Sequence, residues 1–419
     1  MRSPTRIALA LCLLAAATAS RSQTDALDLQ SAPTPQEAKI ESPLRLFLEA
    51  GIGRIEQRFP DDERTGKRLS LDLRYNHRLS DELRFAISNR LDHVSPAPFG
   101  QEDTINSLRE IYFSWQPEGS SGTLEFGRIN LRQGAAFGYN PTDYFRTGGL
   151  RAVTTADPVA LRQIRQGAAM VKGSLLWSNG GATIALAPKL QSAPDDGSFA
   201  LDLGSTNSKD RALLSVQTRA SEKFSAQGSL FLEQGSGPNF GISSTALLGE
   251  ALVAHADLAV GKKRRLLDQI LNSQAGSKRT VQAAVGLTYT LPSALALTLE
   301  FEHNGAGLER DDWAAVLNQG PLGYRRFVSL TQPHQELGAR NAWLVYVSQK
   351  SLGLKQLDLT AFVRTNTDDR SRLGWFELRY HWPQFDAVLQ WQRASGRPQS
   401  EFGALPYRQL VQVLGVLYF

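Results

Sequence analysis

From Leu44 onward, apolar and polar residues alternate with a period of two rather than 3.6. Leu69, Leu71, Leu73 and Tyr75 are separated by Ser70, Asp72 and Arg74. Leu295, Leu297, Leu299 and Phe301 alternate with Ala296, Thr298 and Glu300. Val281 to Tyr289 and Phe385 to Trp391 read the same way. Each stretch predicts a strand with one apolar face and one mostly polar face. The connections alternate in length. Short ones fall at Ser80-Asp81, Pro117 to Gly122, Asn179-Gly180, Ser221-Glu222, Gly249-Glu250, Pro292-Ser293, Ser351 to Gly353 and Pro383-Gln384. Long ones include 94–106, 130–167, 191–208, 261–278 and 304–338. Tyr75, Trp115, Trp177, Tyr289 and Trp382 all stand just before short turns. A membrane barrel needs amphipathic rings at that height, whereas a soluble sandwich has no reason to gather them at one end.

The pattern predicts an all-β chain: a single transmembrane antiparallel β-barrel over 43–419. A bacterial barrel of one chain takes an even number of strands. The stretch Asn239 to Val260 must therefore hold two strands, joined at Leu248-Gly249. That gives about 18 strands, or 16 if two weak ones are loops.

Composition agrees only once the faces are separated. Mean hydropathy is -0.27, a value expected of a soluble protein. In a barrel it averages a lipid-facing set with a water-facing set. It does exclude a polytopic helical membrane protein. Arg2 and Arg6, the apolar run Ile7 to Ala17 and Ala17-Thr18-Ala19 predict a signal peptide over 1–19. Residues 20–42 are polar, with Pro33 and Pro35, and read as a flexible periplasmic leader. The single cysteine, Cys12, lies in the signal segment, so the mature chain has no disulfide and no thiol chemistry. The net charge of +5, from 46 basic and 41 acidic side chains, is too small a fraction to suggest nucleic acid. It falls to +3 without Arg2 and Arg6. The six histidines have no metal-binding spacing, and no cofactor is expected. His303 beside Asn304 is the only arrangement that suggests lipid hydrolysis.

The last residues carry a specific likeness. Val411, Val413, Gly415, Leu417 and the terminal Phe419 alternate to an aromatic end. This resembles the C-terminal assembly signal of Gram-negative outer-membrane β-barrel proteins. The resemblance implies the cell outer membrane, contact with its lipid and lipopolysaccharide, and insertion by the barrel assembly machinery. Leu124-Glu125-Phe126-Gly127-Arg128, then Gly134, then Gly138-Tyr139-Asn140-Pro141-Thr142-Asp143 resembles the porin-like superfamily. There a strand ending in Gly-Arg leads into a long loop with an Asn-Pro-x-Asp turn.

An 18-stranded barrel leaves an aqueous lumen unless something fills it. The longest connection, 130–167, is the candidate constriction. It sets Arg132, Arg146, Arg151, Arg162 and Arg165 against Asp143 and Asp157, a net +3. Folded inward, it would place guanidinium groups where they favour anions. Folded outward, it would meet lipopolysaccharide phosphates. Alternation also predicts lumen-wall charges, among them Arg74, Arg84, Arg90, Arg364 and Arg379 with Asp72, Asp92, Asp257, Glu300, Glu302, Glu377 and Asp386. Lys262-Lys263-Arg264-Arg265 reads as a solvated outer loop or as a site for anionic lipid headgroups. The 304–338 connection, with Trp313, Leu317, Tyr324 and Phe327, reads as a lid or as a mobile loop. The expected function is passive diffusion of small solutes, including anions. The alternatives are an export conduit for a polysaccharide or lipid, and a hydrolase or adhesin on a barrel scaffold. A homo-oligomer is compatible with all of these.

Overall fold

The computed structural model describes residues 42–58, 61–97 and 102–419. The expected signal peptide, and all of the leader except Ser42, lie outside the described residues. The strands are β1 (Leu44–Gln57), β2 (Glu63–Arg78), β3 (Leu83–Ser95), β4 (Thr104–Trp115), β5 (Gly122–Ile129), β6 (Ala168–Trp177), β7 (Gly180–Ala187), β8 (Arg211–Ser221) and β9 (Phe224–Glu233). They continue as β10 (Asn239–Leu247), β11 (Leu252–Lys263), β12 (Lys278–Thr290), β13 (Leu295–Asn304), β14 (Asn341–Gln349), β15 (Leu357–Asn366), β16 (Arg372–His381), β17 (Phe385–Ser395) and β18 (Tyr407–Tyr418). Every strand pairs antiparallel with its sequence neighbours, and β1 pairs with both β2 and β18. The 18-stranded sheet, counted among the described residues, is therefore closed and has no free edge. The count is 18 and not 16, and the split of 239–260 into β10 and β11 is what makes it even.

Both chain ends of the barrel and eight short turns lie at one end; the long connections lie at the other, together with the tight β9–β10 and β15–β16 turns. The outward positions form an apolar belt in which Ile52, Phe126, Ile184, Phe240, Val285 and Val413 are all exposed. Large side chains left bare in this way are stable only in a hydrocarbon solvent. Trp115, Trp177, Tyr289 and Trp382 are exposed at the short-turn end, where they form the interfacial girdle. The negative mean hydropathy comes from the other face. Ser70, Asp72, Gln282, Thr298 and Glu300 point inward from the same strands and are buried there.

α-Helices of five residues or more occur in the long connections: α1 (Pro158–Ile164), α2 (Leu266–Ile270), α3 (Asp312–Leu317) and α4 (Pro321–Thr331). Asp157 caps α1 by accepting from the amide of Val159, and Pro158 opens it. Apolar side chains of α2, α3 and α4 pack with Leu308, Phe402 and Leu405 into one cluster. Within it Trp313 meets Phe327 edge-on at 4.8 Å. The 304–338 connection is thus a folded cap with its own core.

Candidate functional site

Residues 130–167 leave β5 and lie across the inside of the barrel. A chain segment that leaves water must satisfy its backbone amides. Here wall carboxylates do so. Glu300 on β13 accepts from the amides of Phe137 (2.7 Å), Gly138 (2.9 Å) and Tyr139 (3.3 Å). It also meets Nε2 of His255 at 2.8 Å. Asp257 on β11 accepts from Ala135 at 3.2 Å and Ala136 at 3.3 Å. Two glycines permit this approach. A Cβ on Gly138 would collide with the Glu302 carboxylate. Gly134 has a φ of +84°, in the left-handed region. Further along, Tyr144 stacks on Phe231 of β9 at 4.6 Å. Ile129, Phe145, Met170 and Leu213 pack around that stack. The segment is thus packed against the inner wall of β5 to β9 and bonded to that of β11 and β13.

The charges of this segment are used to hold it in place. Arg165 is fully buried and grips Asp143 with two hydrogen bonds, at 2.8 and 2.9 Å. Arg162 donates to the carbonyls of Gln133 (2.8 Å) and Ala136 (3.3 Å). Arg146 donates to Glu336 at 2.8 Å, with its guanidinium over the Tyr139 ring. Arg151 donates to the carbonyls of Asn106, Ala200 and Gly197. Arg132 is partly buried, and burial lowers its pKa against the opposing pull of Glu110. The sequence suggested guanidinium groups offered to solute. The structure instead gives most of them backbone carbonyls and carboxylates of their own.

Burial alone would push the Asp143 carboxyl up, but Arg165 and Arg162 outweigh it and hold the pKa below the ordinary carboxylate value. The same balance, with Lys263 and Arg146 as the cations, brings Glu336 down to about 2. Because both values are depressed, the stability they contribute is present above the ordinary carboxylate range and is lost as pH falls through the lowered values. Asp143→Asn leaves Arg165 buried without its counter-charge, a cost of about 3–5 kcal/mol by analogy with broken buried pairs. Trypsin should then cut within 130–167 of the folded barrel, where the native segment resists.

The wall facing the remaining lumen runs from β15 through β18 and β1 to β4. Most of its charges are paired, but unequally presented. Arg74 is 51% exposed while its partner Asp72 is 4% exposed. Arg379 is 27% exposed against 2% for Asp386, and Arg364 is 21% against 0% for Glu302. Arg379 also pairs with Glu377 at 3.0 Å. Arg90 bridges Asp92 and Glu49 at 2.8 and 2.9 Å. Arg84 is exposed on β3. Alternation from the apolar faces also brings in Arg68 and Glu49, which pair with each other. Arg109, paired with Asp72, is different. A bulge in β4 lets both Arg109 and Glu110 face inward, which simple alternation misses. The signal was present: Leu108 and Ile111 are three residues apart where two would keep the period.

A cavity of about 630 Å³ lies on the long-loop side of this wall. The inward segment, including Val153, Thr154 and Leu161, forms one side of it, and Gln57, Arg68, Gln390 and Gln412 form the opposite side. The cap closes over it with Tyr324, Phe327 and Val328. Cap and segment are tied by Glu336 to Arg146 and by the Leu150 amide to the Pro333 carbonyl at 3.2 Å. Asp143, Arg146, Arg162 and Arg364 also reach the cavity. His303 and Asn304 do not converge. His303 bonds Asn341 Oδ1 at 2.7 Å, on the outward face of β13. Asn304 points inward to the Leu337 carbonyl.

No protein-family model and no curated protein matches the sequence. Solved structures do. Acinetobacter baumannii OccAB1 superposes with a TM-score of 0.54 at 9% identity, covering 94% of this chain and 99% of that one. The outer membrane protein OpdK from Pseudomonas aeruginosa gives 0.53 at 8% identity, covering 90% and 98%. Pseudomonas aeruginosa OccK5 (OpdH) gives 0.52 at 12% identity, with the same coverage. At such identities the likeness establishes the fold. The chain therefore shares the closed β-barrel fold of these structures, and its own lipid-facing belt marks it as a barrel that spans a membrane.

Proposed function

We propose that the barrel is a passive channel for small solutes, with a preference for anions, and that the 130–167 segment is its constriction. The observation that carries this reading is the recession of wall carboxylates behind their arginine partners. A solute passing β15 to β4 meets Arg74, Arg364 and Arg379, while Asp72, Glu302 and Asp386 lie buried beneath them. The wall has both signs of charge, but its surface is basic. Guanidinium groups whose carboxylate uses only part of their donor fork retain N–H groups for a passing carboxylate, phosphate or sulfate. The segment's own arginines contribute by position, since they hold it across the lumen. Contact with lipopolysaccharide and insertion by the barrel assembly machinery belong to the same reading.

Liposome swelling with purified protein tests it. Small carboxylates should enter faster than uncharged molecules of equal size, and these faster than amines. Equal rates for the three, or faster amines, would overturn the anion preference. Absence of swelling, relieved by removing 304–338, would favour a gated export conduit.

A further inference from the structure

The Lys262 to Arg265 run does not act as one patch, because the strand divides it. Lys263 turns inward to Glu336 at 3.4 Å. Arg264 donates to the Ser273 carbonyl at 2.7 Å, and Arg265 pairs with Asp312 at 2.9 Å. Lys262 alone faces outward. In register it stands opposite Arg279 of β12, which is also outward and exposed. Two like charges directly opposite on one sheet face repel. Neither has an ion-pair partner among the described residues. Below them the face is wholly apolar, with Leu258, Val281 and Val285 exposed.

Their height is informative. Arg279 and the girdle residue Tyr289 are separated by ten strand positions. At about 3.4 Å per residue and a tilt of about 40°, that is about 26 Å, the height of an apolar belt. Arg279 therefore lies at the outer interface, level with lipid headgroups. The neighbouring β9–β10 connection is a tight turn that leaves this rim open. The Lys262 stem rests beside Gly237 of that turn, so that a Cβ there would lie 3.6 Å from Lys262 Cδ. A second pair repeats the arrangement. Arg372 and Arg393 are outward and exposed, diagonal to one another across β16 and β17. No outward position from β11 to β17 carries a carboxylate among the described residues.

Resting on the outer-membrane reading proposed above, we infer that the outer rim of β11 to β17 is a binding face for phosphorylated outer-leaflet lipid. Its phosphates seat on Lys262 with Arg279 and on Arg372 with Arg393, and its acyl chains lie on the apolar face below. The charge is complementary and the height matches, and a bound phosphate removes the repulsion of the Lys262–Arg279 pair.

The test titrates the full protein in nonionic detergent with bisphosphorylated lipid A and counts bound lipid by native mass spectrometry. Replacing the four cations by glutamine should weaken binding by at least about tenfold, since each surface cation is worth about 1 kcal/mol to an anionic headgroup. Arg54→Gln, whose arginine already pairs with Glu63 on β2, should bind as the native protein does. On the native protein, lipid A stripped of phosphate should bind as weakly as the fourfold variant binds the bisphosphorylated form. That arm decides the matter even if the variant does not fold. Excess inorganic phosphate should not displace the lipid. Equal binding by the fourfold variant, equal binding of the stripped lipid, or displacement by free phosphate would overturn the assignment.

Discussion

Glu300→Ala should raise the single-channel conductance several-fold and make the open level flicker. Glu300 is the single acceptor for three successive amides of the inward segment, Phe137, Gly138 and Tyr139. Leaving a buried donor unsatisfied costs about 1–3 kcal/mol, so losing this carboxylate removes several kcal/mol from the seating of one short stretch. Asp257 still holds the two preceding amides. The expected state is therefore a segment that swings between seated and released, and not a collapsed barrel. The backbone ladder of the closed sheet makes no use of the Glu300 carboxylate, which bonds His255 within the wall, so the heat-modifiable mobility of the folded barrel should persist. Glu300→Gln, which keeps one carbonyl oxygen, should fall between native and alanine. Unchanged conductance in Glu300→Ala would mean that the segment does not limit the pore.

Reversing the exposed wall cations should reverse the ion preference. In Arg74→Glu with Arg379→Glu, the zero-current potential under a steep KCl gradient should move from the anion side to the cation side. Presentation, and not charge balance, sets the sign. The native wall is nearly balanced in charge, yet Asp72 and Asp386 are recessed and their arginines are exposed. The substitution puts carboxylates on the surface and leaves the buried ones with fewer counter-charges. In a confined lumen such groups set the local ion concentration far more than the net charge of the molecule does. The comparison Arg54→Glu, on the outward face of β1, changes the net charge without touching the lumen. It should leave the potential where it was. A potential that moves equally in both variants would show that the preference is a property of overall charge.

The barrel was legible in the sequence because its cause is local. Lipid on one face and water on the other impose a period of two. Turn length and the girdle from Trp115 to Trp382 then mark which end is which. Even Arg68 and Glu49 follow by extending the alternation a step beyond the clearest strands. What stayed hidden was pairing between distant residues. Glu300 has the look of a lumen charge in its own strand. Its role as anchor depends on amides some 160 positions earlier, and nothing near it announces them. The same holds for Arg165, whose bidentate partner Asp143 turned the expected pore cation into a staple. Arg109 was obscured for a third reason, a bulge that shifts the alternation by one residue.

The most direct test of the account is single-channel recording of the purified native protein in planar bilayers under a KCl gradient. It predicts stable conducting steps that need no partner protein, with a zero-current potential on the anion side. A protein that inserts yet stays silent after removal of both 133–162 and 304–338, or one whose steps reverse on the cation side, would contradict it.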